Sequence, residues 1–260
     1  MRAIGTLLLV APLVFPQEGF AADCPAAASD TVAVAEIVAG NVLRLSDGTV
    51  VRLAGIDAAQ PFGAEESEAA AVAARADLQA LIGEGAIGVV RLTDGPDRHG
   101  RMPAFVFLPG GRSLQQTLLV EGRVRARWLP DESHCFPLFV AAEREARRAN
   151  RGIWRDKSQG PVSADDSSLL SRNGLYQLVE GRVVSVGHGT RMIFLDFGRN
   201  FWQDFTVMLT PPVAEGLAAA GLPADGLAGK RLLVRGVIED SGGPAIRLND
   251  PAELEVLDGE

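Results

Sequence analysis

Nine consecutive residues, Arg52-Leu53-Ala54-Gly55-Ile56-Asp57-Ala58-Ala59-Gln60, gather a guanidinium, a carboxylate and a carboxamide in one short segment. The amide of Gln60 can orient a water molecule by hydrogen bonding, but it cannot accept that water's proton at neutral pH. A second run, Arg123-Val124-Arg125-Ala126-Arg127-Trp128, alternates with period two. Alternation puts three guanidiniums on one face of an extended segment, as either a phosphate track or a solvated edge, and turns Trp128 toward the apolar side. Phe197, Phe201, Trp202 and Phe205 offer either a base-stacking platform or core packing. His99, His134 and His188 show no metal-ligand spacing with one another or with the two cysteines.

Strands and helices must hold these groups. Val42–Leu45 and Val50–Leu53 flank Ser46-Asp47-Gly48-Thr49, and Asp-Gly between two apolar runs predicts a hairpin. From 64 to 82 the apolar period becomes helical, with Glu65, Glu66 and Glu68 at the positive end and Gly83 at the exit. Those acids read as helix capping. Strands follow near Ile87–Leu92 and Met102–Leu108, then helices from Ser113 to Glu121 and near Leu138–Asn150. This order predicts a mainly β chain with helices (α+β), built as an OB-like five-stranded barrel with packed helices over residues 31–156. A Ser-, Asp- and Gly-rich stretch, 157–173, reads as a linker. Strand-like runs return from Gln177 to Leu248, with one helical stretch at Val213–Ala220, and predict a second small OB-like β-barrel domain over 174–258.

Composition narrows the partners. The formal net charge of -8 argues against a general basic nucleic-acid coat. Charge is uneven, however. Residues 23–157 carry 16 Lys and Arg against 18 Asp and Glu, while residues 158–260 carry 8 against 14. The first half is therefore the better place for a polyanion, and an acidic second half suits protein contact. Arg2, the apolar run Leu7–Phe15 and the small residues Gly19 and Ala21 predict a cleaved export signal over 1–22, hence a periplasmic or secreted protein. The run is too short and too broken by Pro12 and Pro16 for stable membrane insertion. After such cleavage Cys24 and Cys135 remain, and an even count in an oxidising compartment favours one disulfide between them.

The segment Arg52–Gln60 resembles the active-site strand of the staphylococcal nuclease-like (thermonuclease) family, which reads Arg-Leu-x-Gly-Ile-Asp-x-Pro-Glu. Three more motifs follow in the family's order. Asp97-Arg98-His99-Gly100-Arg101 is similar to its Asp-x-Tyr-Gly-Arg, Leu118–Gly122 to a helix exit, and Ala142-Glu143 through Gly152-Ile153-Trp154 to its closing segment. Residues 175–257 resemble an extension found on some bacterial secreted members, whose function the resemblance does not supply. The resemblance implies metal-assisted hydrolysis of DNA or RNA phosphodiesters. It implies that Arg52 and Arg101 grip the scissile phosphate, a pairing guanidinium geometry suits, although either arginine would also serve in a structural salt bridge. By the same resemblance Asp57 binds Ca2+, or else only shapes the turn after Ile56. His99 stands where the family has a phosphate-contacting tyrosine. Trp128 falls near a nucleotide-stacking position.

Two departures bear on the chemistry. The family's general base is a glutamate where this chain has Gln60, and its second calcium carboxylate falls at Asn41 in Ala39-Gly40-Asn41-Val42. One aspartate and one amide make a weak calcium site. Losing a general base costs about 10²–10⁴-fold in rate. Attenuated nuclease activity is thus the expectation, with an inactive nucleic-acid or anionic-ligand binding module and an envelope protein-interaction module as the alternatives.

Overall fold

The computed structural model describes residues 24–28, 30–58, 64–200 and 202–257. The expected export segment, Gln60 and Phe201 therefore lie outside the described residues.

The first unit begins with β1 (Thr31–Ala39), β2 (Val42–Leu45), β3 (Val50–Leu53) and β4 (Ile56–Ala58). Helix α1 (Ala64–Ile82), β5 (Ala86–Arg91), β6 (Met102–Phe107), α2 (Leu114–Val120), β7 (Val124–Ala126) and α3 (Phe136–Arg148) follow. A closed barrel forms in the order β1-β2-β3-β6-β5, antiparallel except for the parallel pair β3 and β6. At the β2–β3 turn Asp47 accepts the Thr49 N–H at 2.8 Å, the local bond that makes Asp a turn residue. Alternation turns Leu43, Leu45, Val51 and Leu53 into the barrel, where Leu78 of α1, Ile87 and Val106 meet them. Each such buried side chain contributes about 1.5–3 kcal/mol.

Helix α2 is fixed at both ends. Ser113 caps its start by accepting from Gln116 N–H. Gln115, fully buried, accepts Val106 N–H at 3.1 Å and donates to Ala104 C=O at 3.0 Å, so its amide completes the edge of β6. At the helix exit Gly122 has φ +70, and a Cβ there would lie 2.3 Å from Arg151 O. Gly152, just past α3, faces the same contact from the other side. Between them Ile153 N–H donates to Gly122 O at 2.9 Å. The ends of α2 and α3 can meet this closely only without side chains.

The second unit comprises β8 (Val162–Ser163), β9 (Tyr176–Arg182), β10 (Ser185–His188), β11 (Ile193–Asp196) and β12 (Thr206–Leu209). Then come α4 (Pro211–Ala219), β13 (Arg231–Asp240), β14 (Pro244–Leu248) and β15 (Leu254–Val256). Its sheet runs β10-β11-β12-β14-β13-β9-β8, with β15 on β13 and a parallel pair β12 and β14. Within 157–173, read from composition as a linker, β8 pairs with β9, and Ala164 and Leu169 are buried in the second core. Phe197 and Phe205 lie in that core too, their rings 5.1 Å apart, whereas Trp202 is exposed.

The two units share a buried polar seam. Arg235 of β13, fully buried, contacts Glu143 of α3 at 2.9 Å and Glu255 of β15 at 2.6 Å. Glu255 also receives Arg144 and Arg147 of α3 at 2.9 and 2.8 Å. Tyr176 donates its hydroxyl to Ala126 C=O at 3.1 Å, and Ala146, Trp154, Leu178 and Leu233 pack beside these groups. Among the described residues, no helix is long and apolar enough to cross a membrane.

Candidate active-site cleft

The sharp turn between β3 and β4 organises the site. Gly55 takes φ +72 there, and a Cβ would run into the Phe139 ring at 2.7 Å. Its N–H donates to the Glu132 carboxylate at 2.9 Å, and its C=O accepts Arg127 N–H at 2.9 Å. β4 then pairs with β7, setting Asp57 opposite Arg125. A second loop closes on itself, with Asp97 and Arg101 bonded through their backbones at 2.7 Å. The Asp97 carboxylate accepts from His99 N–H at 2.9 Å, Arg101 N–H at 3.0 Å and Arg101 Nε at 3.0 Å. Burial raises the Asp97 pKa, but these donors outweigh it and hold the carboxyl well below its usual value. Asp97 therefore stays ionised and aims Arg101.

Between these turns opens a cleft of about 440 Å³ whose walls include Asn41, Arg52, Asp57, His99, Arg101 and Arg127. Arg52, Arg101, His99, Asp57 and Asn41, each singled out from the sequence, are thus brought together. Trp128 is placed elsewhere, lining the crevice between the two units with Tyr176, Arg247 and Asn249. Gln60 is not among the described residues. Cys24 and Cys135 form the expected disulfide, with Cα atoms 4.9 Å apart.

Both phosphate-gripping candidates carry carboxylate partners. Arg52 donates to Glu132 through two nitrogens, Nη1 at 3.1 Å and Nη2 in a shorter contact, and its Nε lies 3.6 Å from Asp97. Glu132 had no sequence signal; it sits 80 residues from Arg52 in an acidic turn without a motif. Arg127 was visible only as part of the alternating run, and it reaches Asp57 at 3.5 Å. Its two companions diverge: Arg123 is an exposed partner of Asp77, while Arg125 is buried and donates to Gln159 C=O at 2.5 Å. Burial raises the Asp57 pKa, and the nearby Arg127 and Arg125 only partly offset that rise.

The described residues do not assemble a calcium site. Ca2+ takes six to eight oxygens and draws its affinity from carboxylates. Here Asp57 is ringed by arginines, Asp97 is held by Arg101, and Asn41 supplies no charge. Among the described residues no group of three or more His, Cys, Asp or Glu converges on a metal position.

A closed five-stranded barrel with helices packed on it and an arginine-lined cleft beside its third strand defines the class of OB-like barrel domains. Residues 50–156 match the family described as staphylococcal nuclease homologue, and this segment is a domain of that family. A protein named "Uncharacterized endonuclease" from Escherichia coli O157:H7 is 32% identical over 65 residues, covering 25% of this chain and 40% of that protein. A second of the same name from Escherichia coli is 31% identical over 65 residues, again 25% and 40%. The chain spans about two fifths of the length of the curated relatives it matches.

Proposed function

We propose that the cleft binds a DNA or RNA phosphodiester and hydrolyses it as an attenuated nuclease. The observation that carries this reading is the convergence of Arg52 and Arg101, each aimed by a carboxylate, on the cleft that also holds Asp57. Oriented guanidiniums suit the charge that develops on a phosphoryl oxygen as water attacks. His99, at the rim, adds a hydrogen-bonding partner for the adjoining phosphate. Attenuation follows from two residue types. Gln60 cannot take the proton from water, and Asn41 supplies no carboxylate for calcium.

The second unit is proposed as another OB-like barrel. Only Val183 and Val184 separate β9 from β10, and taken as one bent strand they close the order β10-β11-β12-β14-β13-β9. The parallel pair β12 and β14 stands where β3 and β6 stand in the first barrel. Export to the periplasm or medium is proposed as well, supported by the Cys24–Cys135 disulfide, which an oxidising compartment preserves.

The test is cleavage of single- and double-stranded DNA and of RNA by the full chain, with calcium and with a chelator. Slow cleavage, lost in Arg101→Ala and raised about 10²-fold or more, with a new dependence on calcium, in the Gln60→Glu, Asn41→Asp double variant, is expected. Cleavage absent from the parent but present in the double variant identifies a binding module. Absence of both cleavage and nucleic-acid binding in every variant overturns the proposal.

A further inference from the structure

We propose that Glu132 is a positioning residue: from the disulfide-anchored turn Pro130–Cys135, it holds the Arg52 guanidinium and the Gly55 amide in the geometry that receives a phosphate. This rests on the nucleic-acid reading of the cleft. Three observations carry it. Glu132 is 4% exposed, so its charge is kept out of water for the sake of its partners. Those partners are the two Arg52 nitrogens and the Gly55 N–H, and among the described residues no other element supplies an acceptor to both. The turn itself is tied down at Cys135, 1% exposed and bonded to Cys24 across 111 residues.

Direction of approach separates positioning from mere competition for Arg52. Glu132 does not line the cleft. It borders a different depression with Thr93, Pro103 and Pro130, and Arg52, Asp97 and Leu129 line both openings. Glu132 grips the Nη1 and Nη2 edge of the planar guanidinium and fixes its plane; the remaining edge, whose Nε lies 3.6 Å from Asp97, is the one an anion in the cleft would share with that carboxylate. Gly55 extends the effect. This residue carries the Glu132 bond on its N–H and the Arg127 backbone bond on its C=O, so displacing Glu132 would bear on two cleft arginines.

The sign of the effect makes this testable. Glu132→Gln removes a negative charge beside a bound anion, and on charge alone it would tighten binding. Positioning requires the opposite. Affinity for a fluorescent single-stranded DNA 10-mer is measured by anisotropy with divalent metal chelated, for the full chain and for Glu132→Gln, Glu132→Asp and Arg101→Ala. Glu132→Gln is expected to bind about tenfold more weakly, the range of one charged hydrogen bond. Its salt slope should fall by about 0.7, the loss of one phosphate contact on a single strand. A purely structural role leaves that slope unchanged. Should Glu132→Gln not fold, Glu132→Asp, which keeps the charge but withdraws it by a methylene, must show a smaller loss in the same direction. Unchanged or tighter binding in either folded variant, with Arg101→Ala still impaired, overturns the positioning role and leaves the cleft's function standing. No binding by the parent protein removes both.

Discussion

Replacing Arg235 by methionine tests whether the seam between the two units is an energetic unit. Arg235 is fully buried between Glu143 of the first unit and Glu255 of the second. Burial opposes its charge, yet Glu143, the Tyr176 phenol and Glu255 outweigh burial and raise its pKa above the usual arginine value. The variant leaves the two carboxylates unequally served. Glu255 keeps Arg144 and Arg147, whereas Glu143 keeps the Ala126 N–H at 2.7 Å and the more distant charge of Arg125. The Arg235–Glu143 contact at 2.9 Å is an ion contact without hydrogen-bond alignment, so the loss is mostly charge on Glu143 that Arg125 compensates only in part. Stranding one member of a buried pair costs about 3–5 kcal/mol. In a chain of this size that lowers the melting temperature by about 10 °C. Urea denaturation and calorimetry measure it. Because a neutral buried pair needs no countercharge, Arg235→Met with Glu143→Gln should recover more than half of the loss. A single-variant loss below about 1 kcal/mol, or a double variant no better than the single, would refute the reasoning.

Two further outcomes follow from the same packing. Burial pushes the Glu253 carboxyl up to about 7, against the pull of the Asn249 and Asp250 N–H groups, so the folded protein binds this proton more tightly than the unfolded chain. The resulting stability is complete below the unfolded value near 4.5 and is lost as pH rises through about 7; a pH series of urea midpoints should show a decline that Glu253→Gln removes. Gly122→Ala would drive a methyl into the Arg151 carbonyl and strain φ +70, costing about 3 kcal/mol in denaturant unfolding, whereas Gly110→Ala, with φ +87 in open space, should cost about 1 kcal/mol.

What the sequence showed depended on how local the cause was. The β2–β3 hairpin was legible because Asp47 and Gly48 make the turn within four residues. Helix α3 was legible from its spacing, but the turn Pro130–Cys135 before it was not, since that turn is fixed by a disulfide and by Glu132 reaching back to β3. Residues 157–173 looked like a linker on composition, and no composition reveals that two residues of β8 pair with β9 while Leu169 seals a core. Arg235 left a readable mark, a lone charge in Leu232-Leu233-Val234-Arg235-Gly236-Val237, which predicts a buried partner without naming it. In the cleft, the family resemblance pointed to Arg52, Asp57, His99 and Arg101 and its second motif contained Asp97, while the orienting roles of Asp97 and Glu132 came only from the fold.

On the proposed reading, those carboxylates would let a chain of net charge -8 hold an anion without a basic surface. Arg52 faces Glu132, Arg101 faces Asp97 and Arg127 faces Asp57, so three of the cleft's four described arginines, all but Arg98, are largely neutralised over distances beyond a few ångströms. Long-range attraction is consequently small, and affinity must come from donors already fixed at hydrogen-bond range. Such a site separates holding a phosphate from activating water. The first depends on the carboxylate-aimed arginines. The second depends on position 60, where an amide stands, and on a metal for which Asp57 and Asn41 offer a single charge. Restoring carboxylates at 41 and 60 should therefore raise the rate of cleavage far more than the affinity for uncleaved strand, because both substitutions leave in place Glu132 and Asp97, the groups that aim Arg52 and Arg101.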